Sequence, residues 1–229
     1  QAGYAKAPAP VAAPQTGKSE AVNNCIGYAI DRDPGPVLYV YPDRLTARDN
    51  SRDRIQAMIH NSPRLRGYVR SVVEDITVMS INLEHIPVYF SSARSPSRLA
   101  NKPIRFVVFD ETDKYQYSAE SKEADPLSLG ELRTRTYKDS RKIWKISSPT
   151  VESGYIWQAF EKEAQFRYDF FVRCPACGKP QRMVFEQIRF PADCRDPERM
   201  QTERLARYEC AACRVAWDDE DRNRAVRAG

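Results

Sequence analysis

No apolar run in the 229 residues approaches the roughly 18 that a membrane-spanning helix requires, and the N-terminus lacks the apolar stretch of a secretory signal. Neither a span nor a secretory leader is expected. Histidine is nearly missing, and the two present, His60 and His85, are too isolated to act as metal ligands. Charge of one sign is barely in excess: 36 basic against 31 acidic residues leave +5. That balance tolerates a nucleic-acid partner without arguing for one. The six cysteines are too few for the disulfide framework of a small secreted protein, so a reducing compartment is expected. What is present is a globular composition, 41% hydrophobic and 29% charged, which excludes a disordered chain. The length suits one large domain, or a medium one with a small companion. The chain begins at Gln1 rather than Met, as expected of a fragment or processed product.

Residues 1–14 are rich in alanine and proline and read as an irregular or truncated arm. A helix is expected over 19–30 and a buried strand over Val37–Tyr41. A polar helix follows over 43–60, with Ile55, Met58 and Ile59 at helical spacing and Asp43 as its cap. Residues 76–91 suggest two short strands, and Ile104–Phe109 a buried strand ending in Asp110-Glu111. A helix over 126–136, a strand over Lys142–Ser147 and a helix around Ile156, Ala159 and Phe160 complete this part. Strands alternating with helices predict an α/β fold, with a mostly parallel sheet flanked by helices. Trp144 and Trp157 are expected in the core. Four regions follow: the arm at 1–14, the α/β domain at 15–172, a cysteine-containing module at 173–217, and the start of a linker at 218–229.

Ala12-Ala13-Pro14-Gln15-Thr16-Gly17-Lys18-Ser19 matches the phosphate-binding pattern GxxxxGK[ST] except for Ala12 in place of the first glycine. In such a loop, backbone N–H groups and the following helix N-terminus cradle the phosphates. Lys18 would neutralise β/γ-phosphate charge and the Ser19 hydroxyl would ligate Mg²⁺. Gln15, Thr16 and Gly17 supply loop backbone, and Gly17 allows close approach. The partner requirement is an acidic residue at the end of a buried strand. Asp110 fits as the Mg²⁺-organising carboxylate, and Glu111 as the residue that polarises the attacking water. Ser147-Ser148-Pro149-Thr150 follows another strand, where small hydroxyls reach a γ-phosphate or its water; the same residues also make an ordinary turn.

Cys174-x-x-Cys177 and Cys210-x-x-Cys213, 32 residues apart, supply four thiolates suited to tetrahedral Zn²⁺. Four thiolates leave no open position for substrate, so the zinc is expected to be structural. Gly178 allows the tight turn after the first pair. Cys25 is expected to be a small buried residue, and Cys194 a bystander between the pairs. Arg94 and Arg98 lie in a polar loop before the Asp110 strand. They are candidates for an arginine that stabilises transition-state charge, in cis or from a neighbour, although a solvated basic loop is the simpler reading. Arg133, Arg135, Lys138, Arg141 and Lys142 form a cluster able to touch a DNA backbone without reading bases.

Taken in this order, Gln15–Ser19 with Ile26-Gly27-Tyr28, Asp33–Leu38, Ser95-Pro96-Ser97, Pro103-Ile104-Arg105, Asp110-Glu111, Ser147–Thr150 and Cys174–Gly178 resemble the large subunit of phage terminases, in particular the phage-lambda-like group. The resemblance spans roughly residues 13–217. It implies a P-loop NTPase fold of the additional-strand catalytic-glutamate type with a small C-terminal zinc-ribbon-like module. It further implies ATP, Mg²⁺ and structural Zn²⁺ as cofactors. The implied function is an ATPase that drives double-stranded DNA into a capsid. By resemblance Lys18 and Ser19 are Walker A residues, Asp110 and Glu111 the Walker B pair, and Ser148 to Thr150 the coupling motif. Implied partners are double-stranded DNA, the terminase small subunit, the capsid portal and further copies of the chain, with no membrane, in the host cytoplasm. The family's C-terminal nuclease is not expected here, since the chain ends twelve residues after Trp217. One departure is the proline-containing Gln1–Val11 stretch, where the family has an apolar strand. A helicase-like nucleic-acid-dependent ATPase, and a zinc-binding interaction module with a non-functional P-loop, remain alternatives.

Overall fold

A computed structural model describes residues 15–70, 76–95, 102–116 and 125–228. The chain divides into two compact units, Gln1–Gln165 and Phe166–Gly229. Among the described residues no helix is long and apolar enough to cross a membrane.

The first unit is built on a five-stranded sheet in the order β2-β3-β1-β4-β5. Its strands are β1 (Val37–Tyr41), β2 (Ser80–Asn82), β3 (Pro87–Ser92), β4 (Phe106–Asp110) and β5 (Lys142–Ile146). β3, β1, β4 and β5 run parallel, and only the edge strand β2 is antiparallel. β1 and β4 are buried at every position, as expected of central strands covered on both faces. Alternation divides their side chains between two cores. Tyr39, Tyr41, Phe106, Val108, Trp144 and Ile146 face one side, with Val22, Ile26 and Ile30 of helix α1 (Lys18–Arg32). Leu38, Val40, Val107, Phe109 and Ile143 face the other, with Leu127 of α5 (Pro126–Leu132).

The expected helix over 43–60 is a continuous stretch in three parts: α2 (Arg44–Asn50), a π-helical segment (Ser51–Gln56) and α3 (Ala57–Asn61). Asp43 caps it, accepting from the Thr46 N–H at 2.8 Å. A short α4 (Pro63–Arg66) follows. The helix expected over 126–136 stops at Leu132 and continues as a 3₁₀ turn, Arg135–Tyr137. After β5 comes α6 (Tyr155–Gln158), which runs on as a π turn, Ala159–Glu163. The fold is therefore a mostly parallel α/β sheet flanked by helices, as the sequence predicts. Two side chains sit differently from expectation. Cys25 is exposed, because the buried stripe of α1 runs through Val22, Ile26, Ala29 and Ile30 and position 25 lies off it. Trp157 is half-buried and packs on Phe160 at 6.0 Å, whereas Trp144 lies in the core.

The second unit has a hairpin of β6 (Phe171–Arg173) and β7 (Pro180–Arg182). It also has a three-stranded sheet, β10-β9-β8, from β8 (Ile188–Arg189), β9 (Arg207–Glu209) and β10 (Ala216–Trp217). Helix α7 (Pro197–Thr202) precedes β9. Asp218 caps α8 (Asp219–Arg227), whose Ala225 joins Val172, Tyr208 and Trp217 in a small core.

Candidate nucleotide-binding and metal sites

Parallel strands deliver their C-terminal ends to one edge of a sheet, and the chemistry-bearing residues of the first unit collect there. Lys18 opens α1, and its Nζ donates to Ser148 Oγ just beyond β5 at 3.0 Å. Ser19 Oγ donates to Asp110 Oδ1 at the end of β4, at 3.4 Å. Gly17, the residue before α1, has φ +80°, and a Cβ there would meet nothing within 4 Å. Glycine is therefore needed at 17 for its left-handed backbone rather than for room. Gln15 is also left-handed, at φ 58°, and Thr16 lies between the two. Ala12 to Pro14 lie outside the described residues.

Asp110 is 7% exposed. Burial raises its carboxyl above the usual range and the neighbouring Glu111 charge adds to this, while the Ser19 hydrogen bond opposes it. Glu111 leaves the strand in a left-handed conformation, φ 60°, uncommon for a residue with a side chain and concentrated at functional sites. Its carboxylate pairs with Lys114. Ser19, Asp43, Arg54, Arg94, Asp110 and Glu111 all line one cavity of about 450 Å³. Of the two candidate arginines, Arg94 reaches that cavity and donates to Gln116 Oε1 at 2.7 Å; Arg98 lies outside the described residues.

Two residues at this edge went unread in the sequence. Asp113 accepts from the Thr150 N–H at 3.1 Å, from Thr150 Oγ1 at 3.3 Å and from the Ile156 N–H at 2.9 Å. Its own N–H donates to Ser147 Oγ at 3.2 Å. The turn after Asp110-Glu111 is thereby tied to Ser147–Thr150 and to the start of α6. A Cβ on Gly154 would lie 2.4 Å from Asp113 Oδ2, so this approach requires glycine. The available signal was Asp113 itself, three residues past Asp110, in a turn otherwise lacking a reason for a third carboxylate. Arg54 is the second, and its only sequence signal was helical spacing from Thr46 and Asn50, which also line the cavity.

The basic cluster is partly engaged within the fold. Arg141 donates to Thr134 Oγ1 at 2.9 Å, and Lys142 lies 3.8 Å from Asp33. His85 contacts the Ile30 carbonyl through Nε2 at 2.6 Å, and His60 is exposed.

In the second unit the sulfurs of Cys174, Cys177, Cys210 and Cys213 all lie within 4.8 Å of one another. Cys174–Cys213 and Cys177–Cys210 approach to 3.8 and 3.9 Å. A tetrahedron with metal–sulfur bonds of about 2.3 Å separates its sulfurs by about 3.8 Å, so the group fits a tetrahedral metal and not disulfides. The two halves share one local design. Gly178 N–H donates to Cys174 O and Arg214 N–H to Cys210 O, with φ +70° at Gly178 and 65° at Arg214. Burial works against a Cys210 thiolate, yet N–H groups of Cys213 and Ala212 bring it down to about 6. Cys213, despite an N–H from Val215, is pushed up to about 12 by burial and the adjacent thiols. Four thiols this close cannot all ionise without a cation among them. Cys194 is buried apart from this group, with its Sγ 3.8 Å from Asp196 O.

Comparison with known proteins agrees with this geometry. A model of the phage terminase large subunit gpA ATPase-domain family matches residues 6–229. No curated protein matches the chain. A variant of the large terminase ATPase domain of Thermus phage P74-26 is 19% identical, with 79% of this chain and 73% of that chain covered and a TM-score of 0.51, which shows a shared fold. The ATPase domain of the same phage in a second structure is 18% identical, with 64% and 61% covered and a TM-score of 0.45. The large terminase of a thermophilic bacteriophage is 17% identical, with 66% of this chain and 35% of that chain covered and a TM-score of 0.46. The family match takes in nearly the whole length, and the chain belongs to the ATPase-domain family of phage terminase large subunit gpA: it is an ATPase.

Proposed function

We propose that this ATPase couples ATP hydrolysis to the translocation of double-stranded DNA into a capsid. The observation carrying the reading is the convergence of Lys18, Ser148, Ser19 and Asp110, four residues from three separate segments, at one sheet edge. The backbone of Gln15, Thr16 and Gly17 and the N-terminus of the 15-residue α1 would cradle the phosphates, with Lys18 countering β/γ charge. Ser19 and Asp110 would hold Mg²⁺, which supplies charge neutralisation on the phosphate oxygens. Coordination also removes the burial penalty on the Asp110 carboxylate. Glu111, once released from Lys114, orients the attacking water and takes its proton. Ser148 is held on Lys18, and Thr150 is hydrogen-bonded to Asp113, so a change at the γ-phosphate is felt in the segment leading to α6. Arg94 is a candidate sensor of that phosphate, and Arg98 is its alternative on sequence grounds.

The four cysteines would hold a structural Zn²⁺. The partners in this reading are double-stranded DNA, the terminase small subunit, the capsid portal and further copies of the chain, in the host cytoplasm. A DNA-stimulated ATPase assay comparing wild type with Lys18→Ala tests the assignment. Hydrolysis is expected to fall at least about 100-fold, the scale of losing a positioned charge at a reacting phosphoryl group. Equal rates would sink it.

A further inference from the structure

The cavity beside Ser19 and Asp110 has a wall that the reading above does not use. Thr46, Asn50 and Arg54 recur at fourfold spacing along the helical stretch Arg44–Asn61, and all three line the cavity. The stretch changes winding beneath them. Ser51–Gln56 is π-helical, with Ser51 and Ile55 fully buried. Such turns are uncommon and occur disproportionately at functional sites. Arg54 belongs to this turn and lines the cavity. Its Nη1 lies 2.8 Å from Glu20 Oε1, in the first turn of α1, one residue past Ser19. Both side chains are about half exposed, so the pair is weakly held and easily exchanged. A cation therefore stands in the cavity that Ser19, Asp110 and Glu111 line, bound to a carboxylate that has no evident task of its own.

We propose that Arg54 is a cis-acting catalytic cation of the hydrolytic site, held on Glu20 in the nucleotide-free chain and transferred to the γ-phosphate oxygens of bound ATP. The inference rests on the nucleotide-binding reading above. In the reaction, the water oxygen bonds to the γ-phosphorus and the bond to the β–γ bridging oxygen breaks. ADP leaves with that oxygen, and the water proton passes to Glu111 and then to solvent. Arg54 neither gains nor loses a proton; it balances the charge that spreads over the equatorial oxygens. Glu20 keeps the guanidinium at the cavity mouth before nucleotide arrives. The competing explanation is that Arg54 only neutralises Glu20.

Binding of ADP with aluminium fluoride, a mimic of the transferring phosphoryl group, is compared with binding of ADP alone. The proteins are wild type, Arg54→Gln, Arg54→Lys, Glu20→Gln and the Glu20→Gln/Arg54→Gln double variant, with kcat and KM for ATP measured in parallel. Arg54→Gln is expected to weaken the mimic about 100-fold while ADP affinity moves less than about threefold, and to lower kcat rather than raise KM. Arg54→Lys, which preserves charge and helix, is expected to recover only part of the loss, because an ammonium lacks the planar fork. Glu20→Gln, which removes the carboxylate competing for Arg54, should bind the mimic at least as tightly as wild type, and the double variant should behave as Arg54→Gln. Recovery of the double variant to the Glu20→Gln level overturns the proposal, as does mimic binding in Arg54→Gln and Arg54→Lys equal to wild type. Wild type and Lys18→Ala binding ADP equally would remove the nucleotide reading itself, a distinct outcome.

Discussion

The two units solve the problem of stability by different means. The first surrounds its sheet with two apolar layers, and β1 and β4 are buried at every position. The second gathers only Val172, Cys174, Tyr208, Cys210, Trp217 and Ala225 into its core. It leaves Phe166, Tyr168, Phe170, Phe185 and Phe190 more than half exposed. Burial at about 25 cal/mol per Å² can hold the first unit together, whereas so small a core cannot offset the chain entropy of the second. The cluster of four thiols would compensate by holding a metal ion. The lesson concerns where polar chemistry can be placed. The first unit can spend part of its apolar surplus on a buried carboxylate and a left-handed glutamate. The second places its polar groups at its centre of stability.

Metal removal is the strongest way to break this comparison. A structural zinc contributes on the order of 10 kcal/mol to folding in small modules. A chelator is therefore expected to unfold the second unit and leave the first intact. Amide hydrogen exchange would read this directly. The N–H groups of Val172, Tyr208 and Trp217 should lose protection, while those of Val107 and Val108 in β4 keep theirs. Persistent protection at Trp217 in metal-free protein would mean that the apolar contacts suffice. Cys210→Ser should reproduce the effect of chelation.

A smaller effect in the first unit sharpens the contrast. Burial raises the Asp110 pKa, so the folded chain keeps that proton to higher pH than the unfolded chain. The corresponding stability is complete below the unfolded carboxylate value and is lost as pH rises through the folded one. Asp110→Asn removes the titration. In the absence of nucleotide and Mg²⁺ the variant should melt above wild type at neutral pH, with the gap closing as pH falls towards 4. Its hydrolysis should drop at least about 100-fold, because the proposed Mg²⁺ ligand is gone. A melting temperature unchanged at pH 7 would show that this carboxylate costs the fold nothing. Gly154→Ala probes the neighbouring contact without touching any reacting group. Its Cβ would lie 2.4 Å from Asp113 Oδ2, and a loss of about 1–3 kcal/mol is expected by chemical denaturation.

Legibility in the sequence follows the same division. Val37–Tyr41 and the strand into Asp110 were readable because a central parallel strand must be apolar throughout, and the CxxC pairs because metal geometry fixes ligand spacing. Gly17-Lys18-Ser19 was readable because a phosphate-binding pattern constrains consecutive residues. Asp113 and Arg54 were not, since each acts through contacts across 37 and 34 residues of sequence and neither belongs to a local pattern. Cys25 was misplaced because composition favours burial for cysteine, whereas the α1 stripe is decided by phase, and position 25 lies about 100° from Ile26.

The smallest effect tests whether the two halves of the metal site are equivalent. Gly178 and Arg214 occupy the same place after their CxxC pairs, with the same N–H bond back to the first cysteine. Both are left-handed, at φ +70° and 65°. Glycine adopts this conformation without cost, while a residue with a Cβ is disfavoured by about 1 kcal/mol or more. Gly178→Ala should therefore destabilise the second unit by about 1 kcal/mol. Arg214→Gly should relieve the same strain, but it also removes the 2.7 Å ion pair with Glu209, an exposed contact worth between about 0 and 1 kcal/mol. Arg214→Ala loses the ion pair and keeps the strain. The difference between the Gly and Ala variants at position 214, measured by thermal melting in excess zinc, thus isolates the backbone and should be about 1 kcal/mol in favour of glycine. A difference near zero would mean that the second CxxC turn relaxes when its side chain is cut, and that the two halves are alike in geometry but not in rigidity.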